Sequence, residues 1–245
     1  MAEGAFSFQK FIDDSKNTLL KPKEYFASME KEGGFGEPII KAVLYGAVAG
    51  LLGLLWSVIG LSAVGGAMGG MFGGGVGIMV LVGALIFSVI GLFIGAVIIL
   101  IISAICGGTT DFEANTRVSA SLMVMYPISA VLGFAGGIHL YLGSIVSLLV
   151  SLYGLFLLYN ALIGVLGGKE GTAKIISIIL AVIPVLMLIS ALMCASAVKQ
   201  SSDIWMKQSE DVMKQMDNKD AAEAMKRLEE FSKQMEKAAK EAEEK

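Results

Sequence analysis

Over most of its middle this chain does not alternate apolar with polar positions; the apolar residues run on unbroken. Five stretches between residues 42 and 198 read this way: 42–64, 76–106, 118–135, 138–166 and 175–198. At a helical rise of about 1.5 Å per residue, roughly 20 residues cross a bilayer. Four of the five clear that length, and the third is short and carries Pro127. The run 118–168 holds no Asp, Glu, Lys or Arg, which is too long for one crossing and enough for two. It predicts a tight helical hairpin turning at Gly136-Gly137, with a re-entrant loop as the alternative.

The ends carry a different pattern. Residues 6–20 put Phe8, Phe11, Ile12 and Leu19 on one helical face, opposite Lys10, Asp13, Asp14 and Asn17. Pro22 suits the first turn of a second short helix bearing Tyr25, Phe26 and Met29. This predicts an interfacial amphipathic region, its lysines near anionic head groups, serving as an anchor or as a sensor or docking site. From Lys199 to the end there is neither Gly nor Pro, and Asp217-Asn218-Lys219-Asp220 reads as a break. The helix predicted after it has Met225, Leu228, Phe231 and Met235 on one stripe, with Glu-to-Lys/Arg pairs four residues apart such as Glu223–Arg227 and Glu229–Lys233. That stripe predicts either self-association, as a short coiled coil, or a solvated helix packed on its own chain. The expected fold is an all-α integral membrane protein. It comprises an interfacial region (1–38), a five-span helix bundle (39–198) and a charged helical tail (199–245).

Composition narrows the class. Of 245 residues 55% are hydrophobic and 17% charged, and 42–198 holds only six charged side chains. A soluble domain carries about a quarter charged residues, so the bilayer is the expected partner. A single histidine, His139, and two cysteines leave no structural zinc site or disulfide framework to expect. The net charge of -3 argues against a nucleic-acid partner. The first 31 residues lack a continuous apolar core, so no cleaved signal peptide is expected. Lysine and arginine set orientation. Lys10, Lys16, Lys21, Lys23, Lys31 and Lys41 precede the first stretch, and Arg117, Lys169 and Lys174 fall in the second and fourth connections, while the other two connections have none. The N-terminus is expected in the cytoplasm and, with five spans, the C-terminus outside. Cys106 and Cys194 are then expected on opposite faces, unpaired.

Ionisable residues inside spans mark ion or substrate paths. Here Asp111, Glu113, Arg117, Lys169, Glu170 and Lys174 are all expected in the cytoplasmic connections. The polar positions left inside are Tyr126, Pro127, Tyr159 and Asn160, which either hydrogen-bond backbone freed near the proline or line a cavity. Gly46 and Gly50, and Gly91 and Gly95, form two GxxxG pairs that predict close helix packing, within one subunit or between two. The loop 65–75 is glycine-rich but lacks the Lys-Ser/Thr ending of a phosphate loop. No catalytic constellation, metal site or cofactor is expected.

The order of several motifs resembles the Yip-domain family of Yip or Rab-interacting membrane proteins, with bacterial relatives. They are Pro22-Lys23-Glu24-Tyr25-Phe26, Gly33-Gly34-Phe35-Gly36-Glu37-Pro38, Gly107-Gly108-Thr109-Thr110-Asp111-Phe112 before Arg117, Tyr126-Pro127, Leu158-Tyr159-Asn160-Ala161-Leu162 and Gly168-Lys169. The similarity covers about residues 15–198. The resemblance implies five spans, a cytosolic N-terminus and no known catalytic residues; eukaryotic members are associated with vesicle traffic, Rab-type GTPases and membrane shaping. The glycine-rich outer loop and the tail depart from it, and the lack of the long cytosolic N-terminal region of many eukaryotic members weakens any carry-over of GTPase binding. These departures point to a bacterial cytoplasmic membrane. The expected function is a non-enzymatic scaffold or adaptor, with a protein partner or a homo-oligomer. The alternative is an oligomeric channel, transporter or lipid-moving protein with an uncharged pore or groove.

Overall fold

A computed structural model of the chain describes residues 6–59 and 75–190, all within one compact unit, Met1–Leu192. The glycine-rich stretch 65–74, Cys194 and the tail with Met225, Leu228, Phe231 and Met235 lie outside the described residues.

The described residues fold as helices joined by short turns, with no strand among them. Helix α1 is Phe8–Leu20 and α2 is Pro22–Ser28. The Ser7 hydroxyl caps α1 by accepting from the Lys10 N–H at 3.3 Å, and Pro22 opens α2, where its missing N–H costs nothing. Then follow α3 (Gly36–Ile59), α4 (Gly75–Ile105), α5 (Phe112–Leu122), α6 (Met125–Leu132), α7 (Phe134–Ile138) and α8 (Leu140–Ile163). The last described helix, α9, is Glu170–Ser190. Among the described residues, five segments are long and apolar enough to cross a membrane: Gly36–Trp56, Val82–Ile105, Phe112–Ile138, Tyr141–Ile163 and Glu170–Ser190. The protein is thus an all-helical, multi-pass membrane protein.

The third crossing is made in pieces. Pro127 cannot donate to the Met123 carbonyl four residues back, and its ring crowds that carbonyl. The chain kinks there, ending α5 at Leu122 and starting α6 at Met125. A second break at Gly133 divides α6 from α7; the Trp56 indole N–H of the first crossing donates to the Ala130 carbonyl beside it at 2.7 Å. The hairpin turns at His139, not at Gly136-Gly137 as the sequence suggested. Both glycines stay helical because α7 and α8 touch there: a Cβ on Gly143 would lie 2.5 Å from the Gly136 Cα. His139 is extended, and its Nδ1 accepts from the Tyr141 N–H, capping α8.

Three crossings begin earlier than hydropathy placed them: α9 starts at Glu170 rather than 175, so Glu170 and Lys174 lie inside it and not in a connection. Helix α3 starts at Gly36 rather than 42, which brings Glu37 and Lys41 inside it. Helix α5 starts at Phe112 rather than 118, capped by the Asp111 carboxylate accepting from the Ala114 N–H at 2.7 Å. Glu113 and Arg117 therefore belong to the third crossing and not to a connection.

Candidate functional site

Four charged side chains from three helices meet under the N-terminal pair. Arg117 of α5 is 6% exposed; its Nη2 donates to Glu37 Oε2 of α3 at 2.9 Å, and its Nε donates to the Glu30 carbonyl at 3.0 Å. One turn along α3, the Lys41 ammonium sits between Glu37 at 2.9 Å and Asp14 of α1 at 2.7 Å. The groups are consecutive links of one chain of charge: Arg117, Glu37, Lys41, Asp14. Charge-assisted hydrogen bonds of this kind are stronger than neutral ones, and a planar guanidinium meets several acceptors at once.

Neutral contacts extend the seam on both sides. The Tyr45 and Ser15 hydroxyls are 2.7 Å apart, with the Phe11 and Tyr45 rings 5.0 Å between centroids. Tyr25 and Ser121 hydroxyls lie 3.1 Å apart, and Tyr153 of α8 donates to the Leu19 carbonyl at the end of α1. Phe26 is fully buried, and a Cβ on Gly164 would lie 3.0 Å from its backbone. The predicted apolar face of α1 is thereby divided. Phe11 and Leu19 pack on the bundle, while Phe8 and Ile12 stay exposed.

The link into α3 needs glycine. Gly33 and Gly34 have φ of +139° and +81°, and a Cβ at Gly33 would stand 3.1 Å from Arg117 Nη1. The Gly34 N–H donates to the Glu113 carboxylate at 2.6 Å. A cavity of about 430 Å³ opens beside the charges, between them and Asn17, Glu24 and Ser28; a second of about 590 Å³ adjoins it, past Phe6 and Ile40.

Nearby, two loops are laced backbone to backbone. The Thr109 N–H donates to the Leu166 carbonyl at 2.8 Å and the Lys169 N–H to the Cys106 carbonyl at 2.9 Å. Asn115 donates to the Thr109 and Asp111 carbonyls, while its own Oδ1 is buried without a partner. Cys106 follows the last residue of the second crossing, and burial pushes its thiol above the ordinary value.

The residues singled out from sequence fall elsewhere. Asn160 is buried and donates to the Phe156 carbonyl of its own helix at 2.7 Å. Tyr126 is 43% exposed, its hydroxyl 3.4 Å from where a Gly91 Cβ would stand. Tyr159 donates to Glu170 at 3.5 Å, and Pro127 sets the kink. No hydrogen bond among the described residues joins Tyr126 to Asn160. Gly46 meets Ser88 of α4 at 2.6 Å and Gly95 meets Ser119 of α5 at 2.6 Å, as distances from the Cβ each lacks; Gly50 is buried. What sequence reasoning missed is the charged seam. Its one local signal is Glu37 and Lys41, four apart on a helix.

Every charge in this seam is answered by another, and no nucleophile with an adjacent base is held in it. Among the described residues no three His, Cys, Asp or Glu side chains are grouped to hold a metal. The arrangement fastens helices together. No curated protein and no solved structure matches the chain. The family model described as the Yip1 domain matches residues 16–192, a stretch that takes in Lys41, Glu37, Arg117 and all five crossings. With that match over most of its length, this multi-pass membrane protein belongs to the Yip1 domain family.

Proposed function

We propose that the chain is a non-enzymatic membrane scaffold or adaptor. Its N-terminal helices form a fixed surface on the cytoplasmic side of a bacterial inner membrane, and its tail assembles copies outside. One observation carries this reading: the Arg117–Glu37–Lys41–Asp14 chain is internally neutral and ties α1 to two crossings. A proton-transfer path needs exchangeable charge, whereas these groups are spent on one another. The expected orientation from lysine placement, N-terminus inside and C-terminus outside, is part of the proposal, as is self-association through Met225, Leu228, Phe231 and Met235.

A second reading, an uncharged groove that moves lipid or solute, draws on another feature. A cavity of about 470 Å³ between α6, α8 and α9 is bordered by Ser129, Ser147, Ser151 and Pro184. The mass of the detergent-solubilised complex, for the full chain and for one ending at Val198, tests the scaffold. A single multiple of 25.8 kDa that falls to monomer on truncation supports it. Monomers in both cases, together with solute or lipid movement in proteoliposomes, would contradict it and favour the groove.

A further inference from the structure

The two cavities beside the charged seam share a wall, formed by Lys10, Glu30, Glu37, Lys41 and Arg117, and differ at their far ends. The first ends among Lys21, Glu24 and Ser28. The second ends among Phe6, Phe11 and Ile40. Ile40 begins the exposed apolar face of α3 that continues through Val43, Leu51 and Leu55, so this end opens toward lipid. Together they make a cleft that is charged at one end and greasy at the other.

The depth of the cleft agrees with that polarity. Ser119 of α5 donates to the Leu92 carbonyl of α4 at 2.9 Å and abuts Gly95, which places Arg117, two residues earlier, near the same level. Beyond Gly95, α4 continues for about 15 Å at the usual helical rise. It carries exposed Ile98, Ile101 and Ile105 over that length. Hydrocarbon that covers those isoleucines also reaches the level of the cleft.

The charges choose the head group. The first cavity is lined by four cationic and four anionic side chains. The deep ones are engaged at 2.7 to 2.9 Å. The rim ones are not. Lys10 stands 4.0 Å from Glu30 and 3.9 Å from Glu37, Glu30 stands 3.9 Å from Arg117, Lys21 stands 3.5 Å from Glu24, and the four rim side chains are more than half exposed. Exposed pairs at such distances hold little free energy and re-pair readily. A neutral lining has no surplus cation for an anionic head group. A quaternary ammonium needs an aromatic cage, and of the cleft's aromatic residues Tyr25 alone lines the first cavity, while Phe6 and Phe11 stand at the apolar end of the second. A primary ammonium can instead donate to the rim carboxylates.

We propose that this cleft binds the head group of an ethanolamine phospholipid, phosphate against Lys10 and Lys21, ammonium against Glu24 and Glu30, acyl chains leaving past Ile40. The site goes beyond the scaffold reading: it shares the wall of Glu37, Lys41 and Arg117, but its lipid contacts are Lys10, Lys21, Glu24 and Glu30. The test uses the purified full chain in detergent, stripped of lipid. It is titrated separately with ethanolamine, glycerol and choline phospholipids of identical acyl chains and with soluble glycerophosphoethanolamine, and bound adducts are read by native mass spectrometry. At least tenfold tighter retention of the ethanolamine lipid than of the other two is expected. A tenfold or greater loss is expected in the Lys10→Ala/Glu30→Ala double variant and, should that not fold, in Lys21→Ala. Equal retention of the three lipids, or variants that bind as the parent does, would overturn the site as ordinary lipid solvation. Binding of the soluble compound as tight as that of the lipid would overturn the assignment to a membrane lipid.

Discussion

Arg117 and Glu37 are 80 residues apart in sequence and 2.9 Å apart across the seam between α5 and α3. The contact closes the loop that contains the first two crossings and fixes the third against the first. Arg117 is buried and Glu37 partly so, and Lys41 still answers Glu37 once Arg117 is gone, so losing the charge-assisted bond should cost about 1.5 to 3 kcal/mol. Arg117→Gln is therefore expected to lower the thermal midpoint of the purified protein clearly. Arg117→Lys restores charge but not the fork that reaches both Glu37 and the Glu30 carbonyl, so it should recover only part. Arg117→Gln/Glu37→Gln should be milder than the single change, and additive losses in that double variant would count against a direct pair.

Gly46→Ala puts a methyl 2.6 Å from the Ser88 side chain and 3.1 Å from the Ala84 carbonyl, where backbone cannot yield. Overpacking of this kind costs about 1 to 3 kcal/mol. Gly53, on the same helix, has nothing within 4 Å of the corresponding position. Gly53→Ala should change stability by no more than about 0.5 kcal/mol. Chemical denaturation of the two variants in one detergent checks the contrast, and equal effects would deny the close α3–α4 crossing.

These two cases show what the sequence made legible and what it hid. The existence of five apolar crossings, the break before Pro127 and two short N-terminal helices follow from local rules, while the starts of three crossings do not. The starts of α3 and α5 were hidden because Glu37, Lys41 and Arg117 read as reasons to be outside a span. They lie inside because their partners are supplied from distant segments, Asp14 among them, and no local pattern reports that pairing. The hairpin was displaced for a related reason. Gly136-Gly137 reads as a turn, but small residues also permit contact, and Gly143 comes down upon Gly136 and keeps it helical. The GxxxG pairs were visible, while their neighbours, Ser88 and Ser119, were not.

Trp56→Phe keeps an aromatic ring against Phe134, 5.5 Å between centroids, and removes the N–H that serves the Ala130 carbonyl at the Gly133 break. A net loss of about 1 kcal/mol is expected. Amide exchange around residues 130–134 should quicken in the variant relative to α8, and unchanged exchange there would mean the indole bond does not support the break.

Cys106 is buried at 1% exposure, and that burial holds its thiol above the ordinary value. The folded state thus retains the proton more tightly than the unfolded chain. Its contribution is complete below the unfolded pKa and is lost as pH rises through the folded one. In a Cys194→Ser background, maleimide labelling in intact membranes should be slow at neutral pH and should accelerate only above the usual thiol range. Rapid labelling at neutral pH would show the laced loops open.

The central claim is that the charged seam fastens α1 and α2 to the crossings, and trypsin reads this directly. Lys10, Lys16 and Lys23 lie on those helices, and the Lys21–Pro22 bond is not a trypsin site. In proteoliposomes of the full chain, cleavage at these lysines should be slow in the parent and at least tenfold faster in Arg117→Gln, with cleavage at Lys169 and Lys174 unchanged. Equal rates at the N-terminal lysines in parent and variant would contradict the claim, since α1 and α2 would then be held by something other than Arg117.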